Sequence, residues 1–449
     1  MPSLHGLPPG ALVLAAAAVP LFLHADYQPQ ASFGLGATDV TVALADIAVL
    51  AVAAAALLEW RSRPRLGASR MIWIAAAAFL AVIAAATLYP LASDRDYPFA
   101  AHTVTAAKFS EYALLALSVP LVIRQRSHIR PLFAVLVLLS VAATLVGALQ
   151  FLGVDIFDAW RAGRRQPSFL GHHDFAALSG ATVALALATL VIGESSARVR
   201  RVVAAGGLAG ALGMVLAGAV TGAAGLILAG AVAAWVGRRF RTLTRARAAA
   251  LVGIVCAVVI GILALRSANI DQFLRFLGVR PAQRTTTEDV QTFAHRTVLA
   301  YIGGRIYLDH PLIGVGWQAS ADEPAYGPYL DDARREFPDQ PDLAFPSPEH
   351  PWGVQNAYLQ TLADLGILGA AALAALLAAV AVTGVRTAFA SRVGSAGLAF
   401  ALVATLWLAV VMGIWNGIGL IAGLPLDALF WLAVGLAATA AAGMEDARA

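Results

Sequence analysis

Apolar runs of about twenty residues recur along almost the whole chain, as in MIWIAAAAFLAVIAAATL and LVGIVCAVVIGILAL, and this is the length a helix needs to cross a hydrocarbon layer. A soluble fold keeps a polar shell, so it has no use for 449 residues that are 59% hydrophobic and 13% charged. The chain reads as an all-α polytopic membrane protein. About twelve transmembrane helices are expected, centred near Ala16, Ala48, Leu80, Leu115, Leu138, Leu185, Leu212, Leu228, Val258, Leu373, Val403 and Leu432. The boundary between the seventh and eighth is the least marked, because the stretch between them, LAGAVTGAAG, is itself apolar. The N-terminus MPSLHGLPPGALVLAAAAVPLFLHA lacks the positive start of a signal peptide and is read as an uncleaved first span. The single cysteine, Cys256, lies inside an apolar run, so no intramolecular disulfide forms.

Charge fixes the orientation. WRSRPRLGASR, IRQRSHIR, ARVRR, GRRFRTLTRAR and the Arg386/Arg392 turn follow even-numbered spans, while the connections between them are short or mixed. Arginine-rich loops face the cytoplasm, which puts both termini there too. The organisation is then helices 1–9 over residues 1–266, a long outer-face loop over 267–354, and helices 10–12 over 355–449. A loop of that length is ordinarily functional. Within it, FAHRTVLAYIGGRIYL spaces Val298, Ile302 and Ile306 as one apolar face of a helix lying at the interface. Ala319 to Pro348, rich in Pro, Asp and Glu, reads as an ordered loop or lid. The net charge of +4 is modest, and no nucleic-acid partner is expected.

Basic residues on the outer side run against the topology rule and need another reason. One group, in DAWRAGRRQPSFLGHHDF, holds Arg161, Arg164, Arg165, His172 and His173. The other holds Arg296 and Arg305, with His295 and His310 nearby. Each arginine alone is as well explained by a wet loop balanced by Asp155, Asp158 and Asp174. Together, grouped at a membrane edge, they suit phosphate, which a guanidinium fork holds bidentately. Nine residues separate Arg296 from Arg305, which puts them on opposite faces of an unbroken helix; convergence requires a break at Gly303-Gly304. His172-His173-Asp174 lacks metal-ligand spacing, since neighbouring helical histidines point apart. Lys108 and Glu111, three apart, are read as an intramembrane pair.

The stretch EHPWGVQNAYLQTLADLGILG runs from polar loop into an apolar helix and stacks Asn356, Gln360 and Asp364 on one helical face. That face reads as one wall of a polar substrate cavity, or else as a helix start whose amides cap neighbouring backbone.

RTVLAYIGGRIYLDHPLIGVGWQ followed by QNAYLQTLADLGILG resembles the bacterial O-antigen ligase and O-antigen polymerase superfamily, in which an arginine precedes an hPl.GvG turn and HN.yLq.laelGilG opens the next span. RRQPSFLGHHDFAAL is similar to the family's r..Gtf.npn.fa segment, and TDVTVALADIAVL to its early span opening on an acidic residue. The resemblance implies a membrane glycosyltransferase that needs no metal or cofactor. Its donor is a glycan on undecaprenyl diphosphate at the outer face, and its acceptor another glycan, a lipid-linked glycan or a protein. It further implies that arginines hold the diphosphate and that a loop histidine activates the acceptor hydroxyl. On this basis Arg296, His350 and Gln355 are the catalytic candidates. Arg164, Arg165, Arg305, His310, His172, Asn356 and Gln360 are the substrate-binding ones.

Two positions depart from the family. Its histidine before Asn falls on Gln355, which cannot accept a proton as a base. Its T.SRG turn corresponds to TGAAG, with Ala224 in place of the arginine. Three readings stay open: His350 folds back to the same cavity, Gln355 only orients a hydroxyl, or the protein is a catalytically silent scaffold. A transporter is a further alternative for any many-span chain.

Overall fold

The computed structural model describes residues 7–35, 38–92, 97–193, 196–279, 292–421 and 423–443. Among the described residues a hairpin and sixteen α-helices form. The first stretch holds α1 (Pro9–Leu21), β1 (Gln30–Leu35), β2 (Thr38–Ala43), α2 (Leu44–Leu58), α3 (Arg70–Leu88) and α4 (Phe99–Val122). There follow α5 (Arg130–Phe151), α6 (His172–Ile192), α7 (Ala197–Ala217), α8 (Val220–Arg239) and α9 (Arg245–Leu265). The long connection carries α10 (Ser267–Phe276), α11 (Thr292–Asp309), α12 (Glu323–Tyr326) and α13 (Leu330–Glu336). The chain closes with α14 (Ala357–Ala390), α15 (Ala396–Ile414) and α16 (Leu424–Ala441).

Nine of these helices, α3, α5 to α9 and α14 to α16, are long and apolar enough to cross a membrane; α1 and α2 are shorter apolar helices. The protein is an all-helical, multi-pass membrane protein. The antiparallel pairing of β1 with β2, Gln30 opposite Ala43 through Leu35 opposite Thr38, was not expected from the sequence. It takes the residues TDVTVA out of the second apolar run, so α2 begins only at Leu44.

Helices apolar on every side occupy the middle of the bundle. α6 and α16 are buried over most of their length and α9 lies at the periphery. Where α8 crosses α15 the backbones touch: a Cβ on Gly413 would lie 2.3 Å from the Gly225 Cα, so only glycine fits. Polar groups inside are satisfied locally, as where Trp407 Nε1–H donates to the Ala181 carbonyl at 3.0 Å. Lys108 pairs with Asp46 of α2 at 2.8 Å, and Glu111 Oε1 is buried without a partner. The expected Lys108–Glu111 pair is therefore replaced by a contact between helices.

The arginine-rich connections gather at one end. Arg65 donates to the carbonyls of Pro120, Ile123 and Gly443, Arg124 pairs with Glu59, and Arg126 donates to Gly394. The opposite end carries the long connection. α11 is unbroken through Gly303-Gly304 and buries Val298, Ile302 and Ile306. That face is covered by Tyr326, Ala333, Ala344 and Phe345 of the same connection, which forms a small core of its own. α14 is interrupted at Gly366 (φ 62, ψ −163), and the segment after α11 lies in the gap. There Ile367 N–H donates to Pro311 O (2.8 Å) and Val315 N–H to Ala363 O (3.0 Å).

Candidate functional site

Two buried amides shape the loop between α5 and α6. Gln150 Oε1 accepts from Ser168 N–H (2.8 Å) and its Nε2–H donates to Ile156 O (2.8 Å). Gln166, fully buried, accepts from Trp160 N–H (2.9 Å) and donates to the carbonyls of Arg161 and Arg164. A flexible loop is thereby fixed, and it presents Arg164 and Arg165 toward the end of α9.

From there a line of contacts leads to the N-terminus of α14. The Arg165 guanidinium lies 4.7 Å over the Trp160 ring, and Trp160 meets His172 with centroids 5.0 Å apart. His172 meets His173 at 4.0 Å. His173 Nε2 is 3.4 Å from Arg296 Nη2, and Arg296 Nε–H donates to Gln355 Oε1 at 3.0 Å. The two imidazoles lie ring to ring rather than pointing apart, because His172 is the first residue of α6. Asp174 turns away and accepts from Leu426 N–H at the start of α16.

Arg266, immediately after α9, completes the group. It is 5% exposed, lies 5.5 Å over the Phe293 ring, and its Nε is buried without a partner. Both Arg165 and Arg266 crowd the turn between α7 and α8, within 3.5 Å of where a Gly218 Cβ would stand. Sequence reasoning missed Arg266. Its signal was a lone cation just past an apolar run, on the side where the topology rule disfavours one.

Among the described residues, none of Arg164, Arg165, Arg266 and Arg296 pairs with a carboxylate. Asp158, offered as a balance, instead accepts from the Tyr27 hydroxyl. Burial, then Arg266 and Arg296, pull the Arg165 pKa down to about 9. Burial and Arg266 bring Arg296 to about 10, and burial followed by Arg164 lowers Arg266. The guanidiniums remain charged at neutral pH, so among the described residues the cluster holds positive charge paired with no carboxylate, which an anion would relieve.

The arginines Arg164, Arg165 and Arg266 line a cleft of about 1470 Å³ whose other wall, from α10 and the loop near Phe337, is partly apolar. Arg266→Met removes one uncompensated cation and one unpartnered buried nitrogen. We expect the variant without ligand to melt about 2 °C or more above the wild type, and pyrophosphate to raise its midpoint less. A lower ligand-free midpoint in calorimetry contradicts the unbalanced-charge account.

The other candidates lie elsewhere. Arg305, on the far face of α11, is 3.7 Å from Asp332. His310 is exposed and lines a separate cavity. His350 is exposed in a small turn bridged to Ser347; its ring stacks on Trp352, whose ring meets His295, the neighbour of Arg296. Among the described residues it makes no hydrogen bond to Arg296 or Gln355. The polar face of α14 engages backbone: Asn356 Oδ1 accepts from Tyr358 and Leu359 N–H, Gln360 Oε1 from Leu420 N–H, and Asp364 Oδ1 from Ser320 N–H. Of the sequence candidates, Arg164, Arg165, His172, Arg296 and Gln355 come together.

Fold and cleft define a multi-pass membrane protein with a group of buried arginines beside a cleft at the end of its bundle. Residues 205–374 match the family model described as O-antigen ligase, from α7 to the middle of α14, and this match supports the resemblance to the O-antigen ligase/polymerase superfamily. No curated protein matches the chain. The family match supports membrane glycosyl transfer of the ligase or polymerase kind.

Proposed function

We propose that the protein transfers a glycan from an undecaprenyl-diphosphate carrier to an acceptor sugar at the outer face of the cytoplasmic membrane. The observation that carries this is the set of arginines that, among the described residues, pair with no carboxylate, along a cleft whose other wall mixes apolar Phe276, Leu277 and Phe337 with Asp271, Glu336 and Asp339. Such a cleft suits an amphiphile with a phosphate head and a hydrocarbon tail. In this reading α1, α2 and α4 also span, giving twelve crossings, with the arginine-rich end and both termini cytoplasmic.

The sugar diphosphate is already activated, so the protein has to stabilise leaving-group charge and position a hydroxyl. The acceptor oxygen bonds to the anomeric carbon as the bond from that carbon to the diphosphate oxygen breaks. Arg165, Arg266 and Arg296 take up the charge on the departing diphosphate, and no metal ion is required. Ala224, inside α8, leaves the family's arginine missing, and Arg266, packed at Gly218 just before that helix, supplies the charge instead. Gln355, fixed by Arg296, orients the acceptor hydroxyl, and His350 receives its proton through closure of the turn that carries Trp352.

His350→Ala then lowers turnover about 100-fold with donor affinity unchanged. Retained turnover leaves Gln355 as a group that positions the acceptor hydroxyl, with no strong base required. The reading as a whole is tested with purified protein and undecaprenyl-diphosphate glycan. No transfer to any lipid-linked or free glycan acceptor favours the silent scaffold that Gln355 and Ala224 suggest. In a deletion strain, loss of long chains identifies a polymerase and loss of attachment a ligase.

A further inference from the structure

A second cavity, about 200 Å³, lies at the same end of the bundle, over the connection from α3 to α4. Its walls include Tyr89, Pro90, Tyr97, Pro324 and Tyr329, with the Asp322 carboxylate among them. Asp322 is held from behind: its Oδ2 is 2.7 Å from Nε2 of the buried His102. Tyr97 stacks on that imidazole with centroids 4.8 Å apart, and its hydroxyl is buried without a hydrogen-bond partner. The lining contains no arginine or lysine among the described residues.

This is chemistry opposite to that of the cationic cleft. A carboxylate with a free oxygen accepts hydrogen bonds from hydroxyls, and a partnerless phenol adds a donor. Flat tyrosine and proline rings offer apolar faces to the C–H side of a sugar ring. An anion gains nothing here. A contact connects the segment carrying Asp322 to the one carrying Gln355: Ala321, next to Asp322, stands 3.4 Å from where a Gly353 Cβ would be, two residues before Gln355.

We propose that this cavity is a subsite for one neutral sugar ring of the acceptor glycan, held by Asp322 and Tyr97 between the tyrosine and proline walls. Its assignment to the acceptor rests on the transfer reading above; its binding of a sugar does not.

The test uses the full chain in lipid nanodiscs. Saturation-transfer NMR is recorded with millimolar glucose, galactose, rhamnose and N-acetylglucosamine. At least one sugar should show transfer that Asp322→Asn reduces about tenfold and that Tyr329→Ala also weakens. Tyr329→Ala serves as the measure if Asp322→Asn does not fold. Absence of transfer from all four sugars, or transfer unchanged by a folded variant, overturns the site. In glycan transfer, Asp322→Asn should raise the acceptor KM and leave the donor KM alone. A raised donor KM instead assigns the ring to the donor and overturns the acceptor assignment. Sugar binding without any glycan transfer leaves the subsite standing and overturns the transfer reading.

Discussion

Arg296→Ala is expected to abolish surface-glycan assembly in a deletion strain while the protein accumulates normally, with kcat/KM falling about 100- to 1,000-fold in vitro. The size follows from its place. Arg296 joins the imidazole pair to the N-terminus of α14, through His173 at 3.4 Å and Gln355 at 3.0 Å. Its removal takes a charge from the arginine group and releases the Gln355 amide, which in the proposed reading orients the acceptor. Arg296→Lys keeps the charge but not the planar fork, so it should recover only part of the loss. Arg305→Ala is the contrast, because Arg305 is exposed and leans toward Asp332 on the other face of α11; it should cost severalfold at most. Full complementation by Arg296→Ala would falsify the proposed site.

The sequence carried the helices because membrane crossing is written in composition and length, which need no knowledge of contacts. It carried Arg164, Arg165 and Arg296 because cations on the disfavoured side of a membrane protein are conspicuous one at a time. It did not carry their assembly. Gln150 and Gln166 look like ordinary polar residues beside a loop, yet their amides set where the arginines point. Arg266 reads as the end of a span, and only packing against Gly218 brings it into the group. The hairpin was hidden because its second strand, TDVTVA, also reads as the opening of an apolar helix. The polar face of α14 was visible, but its backbone partners, Ser320 and Leu420, are far away in sequence. Helical periodicity reports which residues share a face and nothing about what that face meets.

The same limit hides a position that tolerates no side chain. Gly366→Ala should unfold or severely destabilise the protein, by about 5 kcal/mol, although it adds one methyl group in an apolar helix. At φ 62 and ψ −163 the backbone is in a region only glycine occupies readily, and a Cβ there would lie 2.3 Å from the Leu312 carbonyl carbon. Leu312 cannot yield alone. The segment from Pro311 to Gly316 is fixed to both sides of the break by the bonds Ile367 N–H to Pro311 O, Leu368 N–H to Leu312 O, Val315 N–H to Ala363 O and Gly316 N–H to Asp364 O. Displacing it leaves several buried backbone groups unpaired, each worth about 1–3 kcal/mol. It also shifts the first half of α14, whose N-terminus holds Gln355 against Arg296. Gly304→Ala supplies the control: a Cβ there meets nothing within 4 Å in the unbroken α11, so the change should be neutral or slightly stabilising. Thermal unfolding monitored by fluorescence-detected size exclusion separates the two variants. Equal midpoints would mean that the loop is not locked into the broken helix, and the coupling from that interlock to Gln355 would fall with it.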